Sequence, residues 1–429
     1  MEALDILRNS DGCAGGKAIY NAAKTATLAN NAGRERKILK PETKARLTKL
    51  FPNLDLDRIR FVINAELPSN WFESPDKIDA MTFGYTIFFK EPNIQWNYNG
   101  LLRLIHELVH IDQLRRRDDN ENVFACDYGQ GFLATEDYRK NPLEVEATDF
   151  VKMLPFDPNF YVNHNDDLFS AFGRDPYKAF AHWLDFGMDE GRLSSTVFDA
   201  KFYLNNSPDL LTAFGQYNYS AAVTHWLNSG INEGRISSPG FDVSFYLNQH
   251  PDLQAEFGPK NYVAAINHWV SKGLDEGRRS SRAFDVSFYL SHHQDLIDSF
   301  TSQGFSEAFD HWLQKGIKEG RMTTPAFDVR YYLEHHPDIQ IVHGQTNYKP
   351  AMEHWLTIGL NEGRRGTFEF DANYYLNKYH DLRTLFGQKN YIAAHDHWIK
   401  EGLSQGLHGA PQSRSNKKSG RIDSPLHKV

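Results

Sequence analysis

The sequence predicts an α+β domain followed by an all-α array of six tandem units, each about 43 residues long. Two strand patterns ahead of one long apolar helix carry the first half of that expectation. Histidine-tryptophan pairs at a fixed interval carry the second. The expected divisions are a flexible or pro-segment-like arm over 1–40, the α+β domain over 41–153, the repeats over 154–409 and a disordered tail over 410–429.

Composition narrows the class. A chain of 429 residues is expected to form more than one folding unit. A formal net charge of −8, with no basic patch, argues against a nucleic-acid partner. No apolar run reaches the length of a membrane span. The start, MEALDILRNSDGCAGG, lacks the basic and apolar segments of a secretory signal. Cys13 and Cys126 are the only cysteines and lie far apart, so no disulfide framework is expected. Two thiols fit the cytoplasm or export by a leaderless route.

Residues 1–40 are rich in Ala, Asn and Gly and offer one short helix, Ala18 to Leu28, with little to anchor a core. Pro41 suits a first helical turn and opens a stretch in which Leu47, Leu50 and Phe51 share a face. Arg58 to Leu67 alternates Ile59, Phe61 and Ile63 with polar neighbours, as a strand does. Asp79 to Lys90 reads as a second strand or a tight hairpin bent at Gly84. An edge strand here could hold an extended peptide by strand addition.

Leu101 to Arg117 is the stretch around which the domain is organised. Its leucines, isoleucines and valine wrap nearly the whole circumference, which predicts a buried helix. Within it His106, Glu107 and His110 spell H-E-x-x-H. Positions i and i+4 share a helix face, so both imidazoles can point at one metal ion. Glu107 then stands where it can take a proton from water at that ion. Two histidines do not close a zinc site, and catalytic sites commonly use three protein ligands. The third is expected on the next helices, Val123 to Leu133 and the one opened by Pro142. Glu144 and Glu146 are the candidates, and residues two apart cannot both face the metal.

HELVHIDQ followed by NPLEVEA, after a strand of the type DAMTFGYTIFF, resembles the zincin metallopeptidases of the gluzincin type. The likeness is to the small bacterial H-E-x-x-H domains of toxin and contractile-injection-system proteins, and it covers roughly Leu47 to Phe150. It implies a zincin-like fold with one Zn2+ on His106, His110 and a glutamate followed three residues later by a small residue. Glu144 with Ala147 fits that pattern, leaving Glu146 as a neighbour or alternative ligand. It also implies peptide-bond hydrolysis, with zinc activating water and Glu107 as general base. An oxyanion donor is needed as well, for which Tyr138 or Tyr128 is available.

From Phe156 onward the chain repeats itself. His182, His225, His268, His311, His354 and His397, each followed by Trp, recur every 43 residues. The consensus opens with Phe-Asp, continues through Pro-Asp-Leu and closes with Glu-Gly-Arg, resembling repeats appended to diverse large bacterial proteins. The Asp of Phe-Asp suits an N-cap, Pro251 opens a second short helix, and a third, Tyr262 to Lys272, is expected to end with Gly273 as its C-cap. The His-Trp pairs are expected as structural pegs, and the Asp and Arg residues as inter-repeat ion pairs. The last unit departs from the pattern at Leu403 to Leu407, as a terminal cap does.

The expected activity is that of a zinc metallopeptidase acting on a peptide or protein. The array would bind a protein or glycan, or self-associate. The alternative is a non-catalytic scaffold whose array carries the function above an inactive core.

Overall fold

The computed structural model describes residues 12–68, 78–90 and 97–411. Most of the tail expected to be disordered lies outside them. Internal contacts divide the chain into two compact units, Met1–Glu276 and Gly277–Val429. The division falls inside the third repeat. None of the helices among the described residues is long and apolar enough to cross a membrane.

The first unit opens with helix α1 (Cys13–Asn30). Over this range the short helix expected from Ala18 to Leu28 is part of a longer, docked one, with Ile19 and Ala23 fully buried. α1 lies against α4 (Glu121–Thr135). A Cβ added to Gly129 would stand 2.4 Å from the Cα of Gly16, so only glycine permits this approach. Beside it Cys13 and Cys126, expected as free thiols, form a disulfide with Cα atoms 4.1 Å apart. The buried face of α1 is Gly15, Gly16, Ile19, Ala23 and Thr27. That face is too small-sided to stand out as an apolar stripe, but it suits close helix packing.

Helix α2 (Pro41–Leu50) leads into a three-stranded sheet of β1 (Arg60–Val62), β2 (Ala80–Phe83) and β3 (Thr86–Phe89). The order is β1-β3-β2, with β3 parallel to β1 and antiparallel to β2. The Asp79 to Lys90 stretch is therefore a hairpin, turned at Gly84 with φ 57°. β1 is shorter than expected, and both Phe61 and Val62 are buried because helices cover both faces. Val62, Phe83 and Phe88 pack with Ala23 of α1. Side chains alternate across a strand, so Thr82 and its partner Ile87 point the other way, and Thr82 reaches Glu107 on the helix that follows. Among the described residues β2 is an edge strand.

Helix α3 (Tyr98–Arg115) carries the H-E-x-x-H residues, and the Asn97 side chain caps it by accepting from the Gly100 N–H. α5 (Pro142–Lys152) packs along α3, capped by Asn141 accepting from the Leu143 N–H. Within this unit α2 and α3 also pack on the first repeat. Arg46 binds Asp185 with two hydrogen bonds of 2.8 and 2.7 Å, and Tyr98 meets Phe180 edge-on at 5.3 Å.

Each repeat is three short helices followed by a turn of π-helix. In the second these are Ala200–Asn205, Pro208–Phe214, Tyr219–His225 and Trp226–Gly230. In all six the Phe-Asp aspartate caps the first helix, as expected. The π turn follows from one contact. The tyrosine of the first helix bonds the repeat's histidine, as Tyr203 does His225 at 2.9 Å, and its hydroxyl fills the space of a Cβ at Gly230. The glycine expected as a C-cap is thus required for close approach. The left-handed cap is the Glu-Gly-Arg glycine, as at Gly234 with φ 65°. Ion pairs between repeats are made by Arg279 with Asp285 and by Arg282 with Asp396, whereas Glu-Gly-Arg arginines pair within their own repeat. Arg235 binds Asp209 and Glu233 of its own repeat, and Arg321 binds Asp295 and Glu319 likewise.

Candidate metal centre

Helical spacing brings His106 and His110 onto one face of α3, and α5 lays Glu144 across them. His106 Nε2 and His110 Nε2 are 3.2 Å apart; His106 Nε2 lies 3.4 Å from Oε2 of Glu144 and His110 Nε2 lies 3.4 Å from its Oε1. A tetrahedral zinc with bonds of about 2.0–2.1 Å requires its ligands about 3.3 Å apart, close to the imidazole spacing and to each ring's distance from the carboxylate, so the residue set fits zinc. Among the described residues this is the one group of histidine, cysteine and acidic side chains close enough to share an ion.

The surroundings orient the ligands. Gln113, fully buried, donates from Nε2 to the Leu143 carbonyl, which leaves its Oε1 facing His110 Nδ1 at 3.0 Å. An amide oxygen only accepts, so Nδ1 carries the proton and Nε2 keeps its lone pair for the metal. Tyr128 donates to Glu144 Oε1 at 2.9 Å. Glu146 turns away, ion-paired with Arg116 and accepting from Gln113 Nε2 at 3.1 Å. Of the two candidate third ligands, the structure therefore brings only Glu144 to the histidines.

Charge is distributed to match. Burial alone would lower the pKa of His110, yet the facing Glu144 carboxylate, with Glu107 and Gln113, raises it to about 9. Burial would push Glu144 up, but the two imidazoles hold it well below the usual carboxylate range. Burial, then the Glu144 charge, pushes the Tyr128 and Tyr138 hydroxyls far above their ordinary value. Both phenols stay protonated and can donate at neutral pH. Tyr128 is engaged by Glu144. Tyr138 lies within electrostatic reach of both Glu144 and Glu107.

Glu107 is 7 % exposed and accepts a 2.6 Å hydrogen bond from the Thr82 hydroxyl of β2. A cavity of about 70 Å³ lies beside it, walled by Ala80, Tyr128 and Tyr138 and by Gly16, Tyr20 and Ala23 of α1. It has room for a few waters or a small substrate group. A larger cleft of about 460 Å³, lined by Phe51, Asp112, Arg115 and Glu146, touches none of His106, Glu107, His110 and Glu144. Size alone would misplace the chemistry.

Sequence reasoning passed over Thr82, Gln113 and the α1 wall. Gln113 was within reach, since it lies three residues after His110 on the same helix face. Thr82 becomes visible only once the strand register is known. Searches against protein-family models, curated proteins and solved structures find no match to the chain.

Proposed function

We propose that the chain is a zinc-dependent peptidase of the zincin type, with His106, His110 and Glu144 as ligands and Glu107 as general base. The observation that carries this reading is the pair of imidazole nitrogens 3.2 Å apart, each 3.4 Å from one oxygen of the Glu144 carboxylate, with a buried glutamate on the histidines' own helix. Imidazole pairs with one carboxylate favour zinc over hard cations.

Zinc held there supplies Lewis acidity, which polarises a substrate carbonyl and lowers the pKa of water. Glu107 accepts the proton of the attacking water and passes it to the departing amine. The Tyr138 hydroxyl donates to the oxygen on which negative charge develops. Tyr128 holds the Glu144 carboxylate in place. The β2 edge, outermost among the described strands, pairs with the backbone of an extended peptide. The repeat array binds a protein or glycan, or a second copy, while the Cys13–Cys126 disulfide fits an oxidising compartment better than a reducing cytoplasm.

The test is cleavage of an unfolded protein such as casein by the zinc-loaded chain and by Glu107→Gln. Loss of at least a hundredfold in rate, with zinc retained, is expected. Equal cleavage by both would overturn the reading.

A further inference from the structure

We propose that Thr82 is a positioning residue that holds Glu107 for proton transfer, an assignment that rests on the peptidase reading above. The Glu107 carboxylate is buried, and a buried carboxylate needs a partner for its lone pairs. Among the described residues its hydrogen bond comes from Thr82, whose hydroxyl donates to Oε2 at 2.6 Å. That bond occupies one carboxylate oxygen and leaves Oε1 to take the proton.

The backbone allows Thr82 little freedom. It pairs with Ile87, which is fully buried, while its neighbours Met81 and Phe83 pack on the opposite face of the sheet against α1. A slip of one residue would turn the hydroxyl away from Glu107 altogether. A threonine is also stiff at χ1 because it is branched at Cβ. A valine would fill the same space, and strands favour it as much. The hydroxyl is therefore present for the bond it makes. The edge strand expected to bind the peptide backbone thus also holds the base, so substrate pairing along β2 and proton transfer at Glu107 share one rigid element.

Thr82→Val removes the hydroxyl at nearly constant shape, and Thr82→Ser restores it. Both are compared with wild type and Glu107→Gln for casein-peptide turnover, zinc content and the binding of acetohydroxamate to the zinc-loaded protein. Hydrogen bonds to charged groups are worth about tenfold or more. Thr82→Val should lose about tenfold or more in kcat, with KM within about twofold and zinc unchanged. It should bind acetohydroxamate about tenfold more weakly, because the hydroxamate proton also goes to Glu107. Thr82→Ser should recover most of both.

If Thr82→Val turns over like wild type while Glu107→Gln is dead, the positioning role is wrong and the peptidase reading stands. If valine and serine lose kcat equally, the effect is packing and the role is again wrong. If wild type neither turns over peptide nor binds hydroxamate, the peptidase reading and the role fall together.

Discussion

Histidines occupy two opposite environments in this chain. In the array, His182, His225, His311 and His354 each share a hydrogen bond with a buried tyrosine. Burial, with a nearby arginine, lowers their pKa, so they remain neutral pegs. On α3, His110 is at least as buried, yet its pKa is raised because a carboxylate faces it. Burial therefore does not separate the two sets of histidines here; the charge of the partner does. A tyrosine partner keeps the ring neutral without adding charge, whereas Glu144 builds an anionic pocket that a proton or a divalent metal can fill.

That contrast can be broken most forcefully in the array. Trp312 is fully buried and stacks on Phe284 at 4.0 Å. Trp312→Ala should cost about 3–5 kcal/mol in denaturant unfolding while zinc content stays at wild-type level. Loss of zinc in that variant would show that the two kinds of histidine are not independent.

The next effect concerns protons. The folded pKa of His110 lies above its ordinary value, so its pairing with Glu144 stabilises the metal-free protein fully below about pH 6.5 and is lost as pH rises through about 9. Zinc must displace that proton. Zinc affinity should fall about tenfold for each unit below pH 9, with one proton released per zinc near neutrality. Calorimetry in buffers of different ionisation enthalpy counts that proton.

A smaller effect is expected from Gln113→Ala, which frees the His110 ring without touching a ligand. Zinc affinity should drop about 10- to 100-fold, read by competition with a chromophoric chelator. Tyr289→Phe, which removes only the hydroxyl bonded to His311, should cost about 0.5–1.5 kcal/mol in thermal unfolding and leave zinc binding alone.

Much of the candidate metal centre was legible because it is local. H-E-x-x-H spacing and the Asn141-Pro142 helix start are read from neighbours a few residues apart. The choice between Glu144 and Glu146 needed a packing partner, since Arg116 and Gln113 draw Glu146 away only when α5 lies against α3. The repeats announced their helices and caps, but not the π turns. Those arise where a tyrosine hydroxyl meets a glycine more than twenty residues later, as for Tyr203 and Gly230. α1 was the least legible element. Its docking depends on Gly16 and Gly129, and on a disulfide spanning 113 residues, none of which leaves an apolar signature.

The most direct test of the central claim is the zinc content of the purified chain after reconstitution, measured beside Glu144→Ala and Glu146→Ala. About one zinc per chain in wild type and Glu146→Ala, with none in Glu144→Ala, is the expected result. Zinc absent from wild type, or retained in Glu144→Ala and lost in Glu146→Ala, would contradict the metal centre described for His106, His110 and Glu144.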